Sequence, residues 1–296
     1  MNVLITGATG FIGRALVAHL QAHGHQCTVF SRDPLHAAAC DFPAGVRFAE
    51  VGIPAGIDAV IHLAGENVAG LWTAGKRRAI MASRVEGTRR IVRAMADAEK
   101  RPRIFLCASA VGIYGNRPGE ELDESSPTDG QGSFRSKVCV AWEAAADEAR
   151  GLGMRVVKLR IGNVVDPDDG YFARLGKIFR AGLPFVFGNG ASMIPWVSME
   201  DCVRLIAFAL ETERFNGPFN VVAPNPLSHR AFAVTLATHF GRRLRGAIPA
   251  WLLRGVLGEF SCTLLDDQRV VPRSAMAAGF VFRHPAWRAW VDARLR

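Results

Sequence analysis

Three glycines at positions 7, 10 and 13, in "LITGATGFIGRAL", stand where a short apolar run gives way to an amphipathic one. Glycine at this spacing suits phosphate binding. One position permits a tight turn, the next lets a pyrophosphate approach the backbone, and the third lets a helix pack closely on a strand. The free amides and positive dipole end of that helix then hold the anion. Coming directly after a strand and opening a helix, the segment is read as a dinucleotide loop. It would set Gly7, Thr9, Gly10, Phe11, Ile12 and Gly13 against the cofactor.

A second test lies roughly 20 residues further on, where an acidic residue binds the ribose 2′-hydroxyl of NAD. This chain has Ser31-Arg32 after "CTVF". Arginine grips a 2′-phosphate bidentately, so NADP (NADPH) is the expected cofactor. Asp33 qualifies this, since it can also neutralise Arg32 as an ordinary surface pair.

Further polar residues fall at the ends of apolar runs. Ser109 and Tyr114 follow "RIFLCA", at the edge where open α/β sheets bind ligands. Tyr114 is either a proton donor in the cleft or a packed aromatic. Ser109 is either a partner for a substrate carbonyl or a strand-end turn residue. Glu66 and Arg84 either form an acid or anion-binding pair or fix a loop. Arg160, with Asn163 beyond it, either meets cofactor or substrate or makes a salt bridge at the core edge. Trp72 and Trp196 belong to cleft loops, as contacts or as packing, and His62 is a core or hinge residue. The six cysteines are dispersed without a C-x-x-C pair, and the eight histidines lack ligand spacing. Neither a disulfide framework nor a metal site is expected.

Elements must hold these groups in place. Strands are read at 2–7, 27–31, 46–50, 59–64, 103–108 and 155–161, with helical patterns near 11–23, 73–98 and 133–150. Such alternation implies right-handed βαβ crossovers, hence an α/β, Rossmann-type, doubly wound parallel sheet. After about 165 the rhythm breaks into Gly-, Pro- and aromatic-rich loops. A helix near 199–212 and a strand near 218–222 then rejoin the sheet, and 227–296 reads as helices with short connections. The expected division is a nucleotide-binding core over 1–165, completed by about 193–222. A smaller, mostly helical C-terminal lobe on the substrate side takes 166–192 and 223–296.

With 296 residues, 49% of them hydrophobic, the chain can bury one sizeable core. No apolar run is long enough to span a bilayer, and "NVLIT" begins at once as a strand, so a cytoplasmic protein with no membrane partner is expected. The net charge is +9, yet only five of the 36 basic residues are lysine. The arginines are scattered without interleaved aromatics, which argues against nucleic acid. A small-molecule substrate, and a monomer or homodimer, are the expected partners.

Residues Thr6 to Gly13, "HLAGENV" with Leu63, Ala64 and Gly65 lining the cofactor, and "SAVGIYG" together resemble the extended short-chain dehydrogenase/reductase superfamily. "HLAGENVAGLW", "SRVEGTR", "WEAAA", "PWVSMEDCV" and "QRVVPRSAMAAGFVFRHP" narrow this to its atypical epimerase/dehydratase-like subgroup, some of whose members carry a cell-division-inhibitor label. The resemblance runs from residue 1 to about 290. It implies a nucleotide-binding fold with bound NADP. In the superfamily a Tyr-x-x-x-Lys pair does the chemistry: the lysine holds the nicotinamide ribose, and the tyrosine exchanges a proton with the substrate oxygen. Here Lys137 is present, but Ser133 stands four residues before it. The chain's two tyrosines, Tyr114 and Tyr171, precede Pro118 and Leu175 at that spacing, so the motif is absent. By resemblance the candidate catalytic set is Ser109, Tyr114 and Lys137. Two functions remain open: an NADP-dependent oxidoreductase or epimerase, and a non-catalytic NADP-binding sensor.

Overall fold

The computed structural model describes residues 1–31, 33 and 37–295. Seven parallel strands form the central sheet: β1 (Asn2–Thr6), β2 (Gln26–Phe30), β3 (Arg47–Ala49), β4 (Ala59–His62), β5 (Ile104–Ala110), β6 (Arg155–Ile161) and β7 (Gly217–Val221). Their order is β7-β6-β5-β4-β1-β2-β3, with in-register parallel pairing throughout. The order reverses between β1 and β4. In such sheets ligands bind at the carboxyl ends beside that reversal, where Gly7 and Leu63 follow their strands.

Helices cover both faces, as a doubly wound sheet requires. Helices α1 (Phe11–Ala22), α2 (Ala74–Ala96), α3 (Phe134–Asp147), α4 (Gly170–Arg180), α5 (Met199–Glu211), α6 (His229–His239) and α7 (Ala250–Leu257) follow in chain order. Leu16, Val17 and Leu20 of α1 join Cys202, Leu205 and Ile206 of α5 against one face. Ile91, Val92 and Met95 of α2 join Trp142 and Ala146 of α3 against the other. The buried strand segments are near-continuous apolar runs because both of their faces are covered.

A second core holds the C-terminal lobe together. Phe172, Leu175 and Phe179 of α4 pack with Phe232 and Leu236 of α6 and with Trp196, Trp287 and Trp290. Phe232 stacks on Trp287 with ring centroids 4.3 Å apart, and Phe172 meets both Trp287 and Trp290 edge-on. Offset stacks and edge contacts of this kind add to the burial of the rings themselves.

Two sequence expectations need correction here. The stretch 166–192 is not all loop: α4 lies within it, capped by Asp169, whose Oδ1 accepts from the Gly170 amide at 2.6 Å. Its apolar residues fall at helical spacing on the lobe core, and its leading glycine masked the pattern. The segment 227–296 is not only helical, since 246–248 pairs in parallel with 185–187 and 269–270 with 121–122. Pairings this short carry no alternation that a sequence could display. Among the described residues no helix is long and apolar enough to cross a membrane, and no group of three His, Cys, Asp or Glu side chains could hold a metal.

Two buried histidines give the fold a pH dependence. Burial lowers both His62, 2% exposed, and His229, 4% exposed, to a pKa of about 4. Each imidazole stays neutral in the native state, while the unfolded chain takes up protons below its ordinary pKa. Stability is therefore complete above about pH 6.5 and falls as pH drops toward 4, by about 2 kcal/mol per histidine between pH 7 and pH 5. Urea unfolding at the two pH values checks this, and His62→Asn or His229→Asn removes that share of the slope.

Candidate functional site

The loop after β1 is shaped by backbone contact. Gly7 has φ +70°, and a Cβ there would lie 2.7 Å from the amide nitrogen of Ala64. A Cβ on Gly13 would lie 2.3 Å from the Gly7 carbonyl oxygen and 2.6 Å from the Ala8 Cα. Helix α1 and the end of β4 thus close on the loop at distances only glycine permits. Gly10 is the N-cap of α1, and it donates its amide to the Gly7 carbonyl at 3.1 Å. No side chain caps this helix, and no acid occupies its first turn. The first-turn amides and the dipole therefore face a space suited to an anion.

Thr9, Phe11 and Ile12 are half-buried around this turn. A Cβ on Gly170 would come within 3.1 Å of the Phe11 ring, and Arg14 pairs with Asp169 at 3.2 Å. The start of α4 therefore sits beside the glycine loop. Leu63, Ala64 and Gly65 leave β4 against Gly7, with Gly65 exposed. Ser31 lies at the end of β2, its amide donating to Ala49 and its hydroxyl bonded to Asp33. Arg32 lies outside the described residues.

Under this edge His62 meets Thr6, with Nδ1 and Oγ1 2.6 Å apart. It is a core residue, with Nε2 buried and without a hydrogen-bond partner among the described residues. Glu66 and Arg84 do not form a carboxylate–guanidinium hydrogen bond. The Glu66 carboxylate takes Lys76 Nζ at 2.6 Å, while Arg84 donates to the Glu66 backbone carbonyl at 3.0 Å. The guanidinium lies against Gly65 and over the Trp142 ring, 5.0 Å from its centroid. This fixes the turn after β4.

The largest departure concerns Ser109, Tyr114 and Arg160. All three belong to one buried network whose centre is Glu143 of α3. Arg160 grips that carboxylate bidentately, through Nε at 2.9 Å and Nη2 at 3.0 Å. Ser109 donates to it at 2.8 Å. Arg160 also donates to the Tyr114 hydroxyl at 2.9 Å, and that hydroxyl faces Asn220 Oδ1 of β7 at 2.8 Å. Tyr114 has no exposed surface, and burial pushes its hydroxyl up to about 12. The structure thus places three of the candidate site residues in one buried network. Tyr114 is the packed aromatic rather than a donor facing the cleft. Arg160 is 4% exposed and braces the sheet against α3 rather than reaching a cofactor. Ser109, 3% exposed, commits its proton to Glu143. Glu143 itself was missed; its signal was a carboxylate inside the apolar run "VAWEAAA".

Ser133 now has a physical role. It is the N-cap of α3, and its hydroxyl accepts from the Ser136 amide at 3.3 Å. Serine is favoured there because it satisfies an otherwise unbonded amide. Lys137 stands exposed one turn further on. Ser133 also lines a cavity of about 350 Å³ between the N-terminal end of α3, Trp72 and the C-terminal lobe. Trp72, Arg254, Glu259, Cys262 and Asp266 share that wall. Asp266 is bound to Arg135 at 2.7 Å, and Glu259 to Arg77 at 2.6 Å. Trp196, by contrast, is wholly buried in the lobe core.

A parallel sheet reversing at β1 and β4, with a glycine loop at the reversal and a second lobe over its edge, defines a nucleotide-binding α/β protein. Residues 3–222 match the NAD dependent epimerase/dehydratase family, and the chain belongs to that family. Residues 248–292 match a domain of unknown function, DUF1731. The chain is 35% identical to the epimerase family protein SDR39U1 of Bos taurus, over 96% of both chains. It is 30% identical to the epimerase family protein YfhF of Bacillus subtilis, over 96% of this chain and 94% of that one. The crystal structure of human SDR39U1 (isoform 2) with NADPH matches at a TM-score of 0.88 and 32% identity, covering 99% of each chain.

Two substitutions test the site's construction. Glu143→Gln strands the Arg160 charge in the core and is expected to cost about 3 kcal/mol or more in urea unfolding. Gly13→Ala forces helix and loop apart and is expected to cost about 2 kcal/mol in the same measurement.

Proposed function

We propose that the protein is an NADP-dependent oxidoreductase of the epimerase type, acting on a small polar substrate in the cavity between the N-terminal end of α3 and the C-terminal lobe. The observation that carries this reading is the uncapped α1 N-terminus, approached by Gly7 and Gly13 at distances that exclude any side chain. The NADPH named with the human relative's crystal structure supports the choice of nucleotide.

The residues present fit a dinucleotide. The first-turn amides of α1, from Phe11 to Gly13, would bind its pyrophosphate, and Ser31 with Arg32 would take the ribose 2′-phosphate. Leu63, Ala64 and Gly65 would line it, with Arg84 behind Gly65 setting the position of that turn. Lys137 would hold the nicotinamide ribose. When bound, the nicotinamide supplies hydride transfer.

The substrate's proton then needs a route other than the motif's phenol, because Ser133 occupies that tyrosine's place and Tyr114 is locked in the core. The hydroxyl of Ser133 and the carboxyl of Asp266 are among the proton-carrying groups that line the cavity, with Glu259, Ser261 and Cys262. Burial raises the proton affinity of Asp266 against the opposing pull of Arg135. The missing tyrosine also favours a second reading, in which the protein binds NADP as a sensor and turns nothing over.

Titration of the purified protein with NADPH and NADH, followed by nicotinamide fluorescence, tests the first claim. NADPH is expected to bind more tightly, and Arg32→Ala to weaken NADPH by about tenfold or more while leaving NADH unchanged. Equal binding of both nucleotides would remove the NADP assignment. Stopped-flow oxidation of bound NADPH against a panel of polar carbonyl compounds separates enzyme from sensor: oxidation by any of them excludes the sensor.

A further inference from the structure

The outer surface of the C-terminal lobe carries apolar side chains where water should favour polar ones. Helix α7 reads AWLLRGVL, and only Leu253 on it is fully buried. Trp251 is 73% exposed, Leu252 40% and Val256 60%. A tryptophan this open on a short helix is unusual for a surface that meets only water.

The chain that leads into and through this helix carries charge of one sign, up to the Glu259 that follows it. Residues 240–258 contain Arg242, Arg243, Arg245 and Arg254 and no acid; residues 170–199 contain Arg174, Lys177 and Arg180 and again no acid. The two stretches adjoin in space. Arg242 donates to the Arg180 carbonyl at 3.2 Å, the Arg245 amide donates to the Pro184 carbonyl at 2.9 Å, and 246–248 pairs with 185–187. Leu183, 58% exposed, stands at this junction. Arg242, Arg243 and Arg245 make no ion pair among the described residues, although ion pairs hold many arginines elsewhere in the chain, while Arg254 lies near enough to Asp266 to favour its carboxylate.

We infer that this acid-free face, with Trp251, Leu252 and Val256 as its apolar contacts and Arg242, Arg243 and Arg245 as its charges, adsorbs to an anionic lipid surface. Tryptophan belongs at the depth of lipid headgroups, where one part of the ring is apolar and another is wet. Arginines beside it are drawn to anionic headgroups, an attraction that salt screens. A second copy of the chain fits less well, because a twofold contact would set the same arginines against each other. Among the described residues no helix is long and apolar enough to cross a membrane, and lying on a bilayer requires none. Arg254 is shared between the face and the cavity wall, so adsorption would set the cavity mouth close to the lipid.

Sedimentation of the full chain with vesicles tests this. It is expected to pellet with equimolar phosphatidylcholine and phosphatidylglycerol, to stay in solution with phosphatidylcholine alone, and to be released by salt. Arg242→Gln/Arg243→Gln/Arg245→Gln together should weaken vesicle binding on the order of a hundredfold. Trp251→Ser/Val256→Ser should weaken it by about tenfold. Failure to pellet, equal binding to both vesicle types, or variants matching the parent chain would each overturn the inference. So would a dimer, seen by light scattering and lost on Trp251→Ser, in a protein that ignores vesicles; that result assigns the face to a second copy. Should a variant fold poorly, the lipid and salt comparisons on the parent chain still decide the matter.

Discussion

The carboxylate of Glu143 is the point on which the site edge of the sheet depends. It lies on α3 and takes both nitrogen faces of Arg160 on β6, together with the hydroxyl of Ser109 on β5. Lys158 approaches the same carboxylate at 3.7 Å. Through Arg160 the network reaches Tyr114, and through Tyr114 it reaches Asn220 on β7. Burying such charges is costly unless each is paired and hydrogen-bonded, and here the pairing spans one helix and three strands. Its benefit is geometric. Helix α3 is held at a fixed height on the sheet, so its N-terminus, with Ser133 and Lys137, has a defined position at the cavity edge.

The glycine loop is constrained in a different way, by lack of space rather than by charge. Gly7 lies against the backbone leaving β4, and Gly13 lies against Gly7 itself. Three backbone segments meet with no side chain between them, leaving the first turn of α1 open toward the sheet's carboxyl edge. Above that opening stands the start of α4, tied by Arg14 to Asp169. The loop and the Glu143 network therefore fix two parts of the sheet's carboxyl edge, and the C-terminal lobe meets the core where Phe260 packs on Trp72, itself packed on Phe134. The Trp72 ring meets both phenylalanines edge-on.

These constraints explain why the superfamily's tyrosine position could change without loss of the fold. Ser133 caps α3 and bonds to Ser136, which is local work that a phenol does not do. Tyr114 could not slip into the vacated role, because its hydroxyl is already an element of the buried network.

The strands of the sheet, the glycine loop and helices α1 to α3 were legible in the sequence because their signals are local. Apolar runs mark strands covered on both faces, glycines mark backbone contact, and a serine marks the start of α3. The short pairings of 163–165, 185–187 and 246–248 were not legible, since two or three residues carry no period. The roles of Ser109, Tyr114 and Arg160 were not legible either. Each stands at a strand end, where a polar side chain can turn toward ligand or toward core. Only Glu143, brought from 34 residues beyond Ser109, decided which. By itself the sequence determined that a phosphate-type glycine loop follows the first strand and that no Tyr-x-x-x-Lys motif is present. The tertiary structure alone decided which polar groups remain for chemistry, because that depends on partners distant along the chain and adjacent only after folding.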